Sequence, residues 1–145
     1  MLSSERGWPL LRICYLHQYF VTPSMNGGTR SYEMARRLVA RGHTVDMITT
    51  RQDQSSGGWE VTDEDGIRVH WLPVEYNNRM GFSRRIRAFL EFAWAAARRA
   101  ASLEADVVFA TSTPLTIALP AVYSARKLKV PMVFEVRDLW PELPI

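Results

Sequence analysis

A strand, a glycine-bearing loop, a helix, a tight turn and a second strand follow one another between Leu11 and Thr50. The apolar run Leu11–Leu16 has the length of a buried strand. Polar and aromatic residues from His17 onward lead into TPSMNGG, whose proline, asparagine and glycines are loop chemistry. From Thr29 the periodicity is helical: Tyr32, Ala35, Leu38 and Val39 share one face, and Arg30, Arg36, Arg37 and Arg41 lie mostly away from it. Gly42 stands where a helix C-terminus favours positive φ, and HTVDMIT is the next strand. Two strands joined through a helix in this way form a βαβ unit, which requires parallel strands and a right-handed crossover.

The pattern returns near the C-terminus. Asp106–Ala110 reads as a strand, and Pro114 fits a first helical turn with Thr113 or Ser112 as its cap. Leu115, Ala118, Leu119, Val122 and Ala125 are the expected apolar face of that helix, and VPMVFEV is the strand after it. Between the two units, WEVT and IRVHWL read as a hairpin joined around DEDG, with Ile67, Val69 and Trp71 alternating inward. VEYNNRMG is loop. Phe82–Leu103 is a long helix, with Ser83 as its cap and Ile86, Phe89, Leu90, Ala93 and Ala97 as one apolar stripe. Alternating β and α elements with nearly continuous apolar strands predict an α/β fold, a Rossmann-like parallel sheet with helices on both faces. Such sheets bind ligands in the crevice beyond the strands' carboxyl ends.

A chain of 145 residues suits one domain, here residues 11–145 after a loose leader over residues 1–10. With 47% hydrophobic and 23% charged residues the composition is that of a globular protein and excludes a disordered one. The net charge of +3 is too mild to argue for nucleic acid, and no base-reading motif accompanies it. Cys14 is the sole cysteine, sits in an apolar run and reads as a small buried hydrophobe, which fits a reducing, cytoplasmic compartment. Arg12 and His17 interrupt the first apolar run, so no secretory signal is expected. No stretch reaches the ~18 uncharged apolar residues of a membrane span.

The loop before the first helix is the candidate site. A helix N-terminus leaves its first N–H groups without intrahelical partners and carries partial positive charge. Glycine lets an anion approach that backbone, so Asn26, Gly27, Gly28, Thr29 and Arg30 are candidate phosphate ligands; the plainer reading is that the glycines only permit a turn. G-x-x-x-x-G-K-[ST] and G-x-G-x-x-G do not occur. The second strand ends in TTRQ, where Arg51 is a possible partner of a 2′-phosphate, and an NADP-binding reductase domain is therefore the alternative enzyme class.

The stretch YLHQYFVTPSMNGGTRSYEMARRLVARGHTVDMIT resembles the opening of family 4 glycosyltransferases, the retaining nucleotide-sugar enzymes of the GT-B fold. The shared features are HQYF at the end of the first strand, the GG before the helix, and R-x-x-E-x-A-x-x-L-x-x-x-G-H-x-V. DVVFATSTPLT and VPMVFEVRDLWPE are similar to the same family, in the branch of O-antigen, capsule and exopolysaccharide synthesis that includes fucosamine transferases. The resemblance spans Leu11 to Pro144 and implies the N-terminal, acceptor-side half of a GT-B enzyme, with the donor domain lying outside the chain. By itself this half is expected to be inactive. The partners implied are a nucleotide-sugar donor and a glycan or lipid-linked acceptor, with no cofactor and no bound metal.

Carried onto this sequence, the resemblance places Gly27 and Gly28 near the donor diphosphate or the acceptor. His17, at the carboxyl end of the first strand, is either a cleft contact or a structural hydrogen-bonding group. Many relatives have a histidine where RDLWPE stands here, so Arg137 or Asp138 is the expected substitute, with a helix cap or turn as the structural role for Asp138. Glu135 reads as structural. In RMGFSRRIRAFLEFAWAAARRA, Arg84, Arg85 and Arg87 with Phe92 and Trp94 form a candidate contact for an anionic membrane surface or the acceptor, against a core-packing helix with a solvated arginine face. That segment also supports a non-catalytic alternative, a membrane- or partner-docking module, and a peripheral location at the inner face of the membrane.

Overall fold

A computed structural model of the 145-residue chain describes residues 7, 9–51, 57–74, 81–112 and 115–137. In chain order the elements are β1 (Arg12–Leu16), α1 (Arg30–Ala40), β2 (Thr44–Arg51), β3 (Glu60–Glu64), β4 (Ile67–Pro73), α2 (Phe82–Ala101), β5 (Val107–Thr111), a 3-10 turn (Leu115–Ile117), α3 (Ala118–Leu128) and β6 (Met132–Glu135). The strands form one sheet in the order β3-β4-β2-β1-β5-β6. All neighbours are parallel except β3, which pairs antiparallel with β4 through the two-residue turn Asp65–Gly66. This is the α/β, Rossmann-like arrangement expected from the repeated βαβ pattern.

Side-chain alternation divides the core in two. Cys14, Leu16, Ile48, Val108 and Ala110 point to the face covered by α2 and α3, where Phe92, Ala96, Ala100, Ile117 and Ala121 meet them. Ile13, Tyr15, Val45, Met47, Val69 and Trp71 point to the opposite face, under Tyr32 and Ala35 of α1. Cys14 is buried as expected, and burial pushes its thiol up to about 12, with the Asp46 carboxylate acting in the same direction. Helix α1 ends at Arg41, and Gly42 follows with φ 98°, packed against Leu10.

Two helices are rotated about their axes relative to the face the apolar pattern indicates. On α2 the buried residues are Ala88, Phe92, Ala93, Ala96, Ala97 and Ala100, so Ala93 and Ala97 of the expected stripe do face inward, whereas Ile86 and Leu90 are exposed. On α3 they are Pro120, Ala121, Ser124 and Ala125, so Ala125 is buried as expected, whereas Leu119 is exposed, as is Leu115 just before it. The reason is steric. These helices pack on each other as well as on the sheet, and small side chains let the backbones approach closely. Ser83 lies within α2, whose N-cap is Gly81 without a side-chain cap. Ser112 does not cap α3 either: the N-cap is Ile117, and the Ser112 Oγ accepts the Arg137 backbone N–H at 2.7 Å. Thr113, Pro114 and most of the leader lie outside the described residues.

A buried polar network ties α2 to the sheet. Register places Ile48 opposite His70 and Asp46 opposite Arg68, so His70 and Asp46 share the α2 face. Arg99 donates from Nε (3.1 Å) and a terminal nitrogen (3.0 Å) to His70 Nδ1. An arginine can only donate, so the ring proton sits on Nε2 and points at Asp46 Oδ1, 2.8 Å away. Arg99 also stacks over Trp59. Its charge is thus committed inside rather than to solvent.

Candidate functional site at the carboxyl edge of the sheet

The site begins where β1 stops. The His17 backbone N–H donates to Ile48 O at 3.1 Å, which extends the β1–β2 ladder by one bond and fixes the imidazole at the carboxyl edge of the sheet. His17 is 4% exposed, and among the described residues its buried Nδ1 has no hydrogen-bond partner. Burial, then the charge of Arg137, lowers His17 to about 4, with Glu135 opposing in part. The imidazole is therefore neutral at physiological pH, with an uncommitted ring nitrogen. A buried polar atom in that condition is destabilising until a partner completes it.

The glycine loop lies over the same edge. Thr29 is the N-cap of α1, but its side chain makes no cap bond, and the first helical bond runs from Glu33 N–H to Thr29 O. Among the described residues no side chain caps the amides of the first turn. Gly27 has φ 135°, and a Cβ there would come within 3.2 Å of Val21 Cγ2, so both backbone and packing require glycine. Gly28 differs: a Cβ would meet nothing within 4 Å. The chain gives no packing reason for the second glycine. Asn26, Gly27 and Gly28 are exposed and Thr29 half-buried, so the loop is open to solvent.

Glu135 joins the helix to the sheet. It ends β6, opposite Thr111 at the end of β5. Thr111 Oγ1 donates to Glu135 Oε1 at 2.8 Å, and Arg30 reaches from α1 to Glu135 Oε2 at 2.6 Å. Burial alone would raise this carboxyl, but the Thr111 and Arg30 hydrogen bonds and the Arg30 and Arg137 charges hold it below its usual value. Ser112 N–H donates to Glu135 O at 2.9 Å, locking the two strand ends together. Beneath them, Tyr15 is raised mainly by burial, in the field of Glu135, Arg137 and Arg30.

Of the residues singled out in the sequence, the structure gathers His17, Arg30 and Arg137 into one electrostatic neighbourhood around Glu135. Gly27, Gly28 and Thr29 lead directly into it. Asp138 lies outside the described residues. Thr111, Ser112 and Glu135 had no assigned ligand role in the sequence, although their common position at adjacent strand ends was a usable signal. Arg51 is committed elsewhere, ion-paired with Glu60 and stacked over Trp71. Among the described residues, no group of three or more His, Cys, Asp or Glu side chains could hold a metal ion. The basic helix separates into two kinds of residue. Arg84, Arg87 and Trp94 are exposed and Arg85 is half-buried, but Phe92, expected at a lipid or acceptor contact, is 1% exposed and belongs to the core beneath α2. It sits in the same inward row as Ala88 and Ala96, four residues before and after it.

Comparison with solved structures reveals the fold in other proteins. The C-terminal domain of a Pyrococcus furiosus hydrogenase matches in a longer form (TM-score 0.61, 17% identity, 93% of this chain and 99% of that one) and a shorter one (0.60, 14%, 88% and 95%). An E. coli structure described as trehalose-6-phosphate bound with UDP-2-fluoro glucose matches with a TM-score of 0.51 and 11% identity. It pairs 85% of this chain with 32% of that longer one. At these identities the likeness concerns fold alone. No curated protein matches the sequence significantly. Residues 27–144, from the glycine loop to the segment after β6, match the glycosyl transferase 4-like domain, and the chain belongs to that family.

Proposed function

We propose that the chain is the acceptor-side half of a retaining glycosyltransferase acting in the cytoplasm. The intact protein would move a sugar from a nucleotide-sugar to a hydroxyl of a glycan or lipid-linked acceptor, in cell-surface polysaccharide synthesis of the O-antigen or capsule type. The observation that carries this reading is the pairing of an uncapped α1 N-terminus and an open Gly28 with the buried, unpartnered His17 Nδ1 at the same sheet edge.

In sugar transfer the acceptor oxygen bonds to the anomeric carbon while the carbon–oxygen bond to the diphosphate breaks. The bonding pair passes to the phosphate oxygen, which also provides a destination for the acceptor's proton. Negative charge thus grows on the diphosphate, where preorganised donors stabilise the transition state most. The amides from Arg30 to Tyr32 are suited to that task, with the Arg30 guanidinium held beside them by Glu135, and the nucleotide itself would be held mainly by a C-terminal donor domain. Neutral His17 is suited to a hydrogen bond with a sugar or acceptor hydroxyl, and Arg137 or Asp138 to a further contact at the same edge.

Amide chemical shifts of the labelled chain, followed during titration with pyrophosphate and with nucleoside diphosphates, test the anion site. Residues Gly27 to Tyr32 should shift saturably, and His17 with them. If these residues are silent while others respond, the assignment of the anion site fails.

A further inference from the structure

Large apolar side chains are exposed mainly in one place. Among the described residues, Phe82, Ile86, Leu90 and Trp94 form a solvent-facing row along α2, spaced four apart. A second row, Leu115, Leu119 and Tyr123, runs through the 3-10 turn into α3, again at intervals of four. The two rows meet where the Trp94 and Tyr123 rings approach to 6.1 Å. Trp94 and Leu119 are each 60% exposed, so neither helix buries its row against the domain. An apolar face of this kind marks a contact surface.

The charge beside it identifies the occupant. Helices α2 and α3 carry Arg84, Arg85, Arg87, Arg98, Arg99, Arg126 and Lys127 against the lone acid Glu91, on a molecule whose net charge is only +3. Glu91 is occupied by Arg87, and Arg99 is committed to His70. Among the described residues no carboxylate pairs with Arg84, Arg98, Arg126 or Lys127. Aromatic residues that prefer a membrane–water boundary, aliphatic residues between them and free cations at the margins together match an anionic bilayer surface. We propose that the outer face of α2 and α3, through Trp94, Leu119 and Tyr123 with Arg126 and Lys127, docks the protein on an anionic lipid surface. This face lies on the opposite side of the sheet from α1, so the inference stands apart from the anion site.

Co-sedimentation of the full chain with vesicles tests the surface. Binding is expected to vesicles of phosphatidylcholine with phosphatidylglycerol, to weaken as salt rises, and to be lost on pure phosphatidylcholine. Each basic residue near such a surface is worth about fivefold in partitioning, so Arg126→Gln with Lys127→Gln should lower binding on the order of twentyfold. Trp94→Ser with Leu119→Ser should lower it further. Trp94 and Leu119 are exposed, and the charge pair supplies a second variant should the first affect folding. Binding indifferent to anionic lipid, or unchanged in both variants, overturns the proposal. So does an absence of vesicle binding together with dimers that the Trp94/Leu119 variant dissociates in analytical ultracentrifugation, since the face would then join two copies of this chain.

Discussion

Gly27 and Gly28 are adjacent in sequence and opposite in what holds them. Gly27 needs its positive φ and lies against Val21, so Gly27→Ala should destabilise the fold by about 1–3 kcal/mol. Gly28 has neither constraint, and Gly28→Ala should change the urea midpoint little while weakening pyrophosphate binding at least tenfold, because the methyl group occupies the space an anion would use. Loss of stability in both variants with equal binding would make the pair a plain turn. Glu135 supplies a second contrast at this scale. Glu135→Gln keeps the side chain's shape but removes the charge that engages Arg30, whose guanidinium then becomes available to an anion. The expected result is tighter pyrophosphate binding with a steeper salt dependence, read by calorimetry at two ionic strengths. A purely structural Glu135 would give lower stability and unchanged affinity.

Element by element, the strands were far more legible in the sequence than the helix faces. Strand side chains alternate with period two and the parallel strands are apolar on both sides, so the stretches around Leu11–Leu16, HTVDMIT and Asp106–Ala110 could be placed within two residues of β1, β2 and β5. Helix α1 has charge on one side and a single apolar side, and its orientation was equally readable. Helix α2 is charged on one side, but its apolar residues spread over a wide face, and hydrophobicity could not say which part of that face turns inward. Close packing decided that, and it selected the alanine row with Phe92. Truncation measures the difference directly. Phe92→Ala should cost about 3–5 kcal/mol in unfolding free energy, whereas Trp94→Ala should cost less than about 1 kcal/mol. Equal losses would contradict the orientation of α2. The His70–Asp46–Arg99 network was hidden for a related reason: its members come from three elements, and nothing in the sequence spacing brings them together. The candidate site was partly legible. The glycine loop and His17 declare themselves by position after a strand, but the role of Glu135 depends on a β5–β6 register that no local pattern encodes.

At the scale of the whole molecule, one continuous sheet supports both cores, so strain at its carboxyl edge is felt by global unfolding rather than by a detachable part. Its amino edge is secured by Arg12, which pairs with Glu104 and Asp106. Its carboxyl edge instead contains His17, a buried group that must stay neutral. The sign of the pH dependence follows. In the unfolded chain the imidazole titrates near 6.5, and in the folded chain burial and Arg137 lower it to about 4. Between those values the unfolded state binds the extra proton. Stability is therefore at its full value above pH 6.5 and declines as pH falls toward 4, by about 3 kcal/mol in all for this one group. Carboxylates titrate over part of the same range, so the contribution is isolated by difference. Urea unfolding of the native chain and of His17→Gln, at steps from pH 7.5 to 4, should show a gap that changes by roughly that amount across the window and is constant above it. Parallel profiles would mean that solvent reaches the imidazole freely. In that event the unpartnered nitrogen at the sheet edge would lose its claim to a ligand.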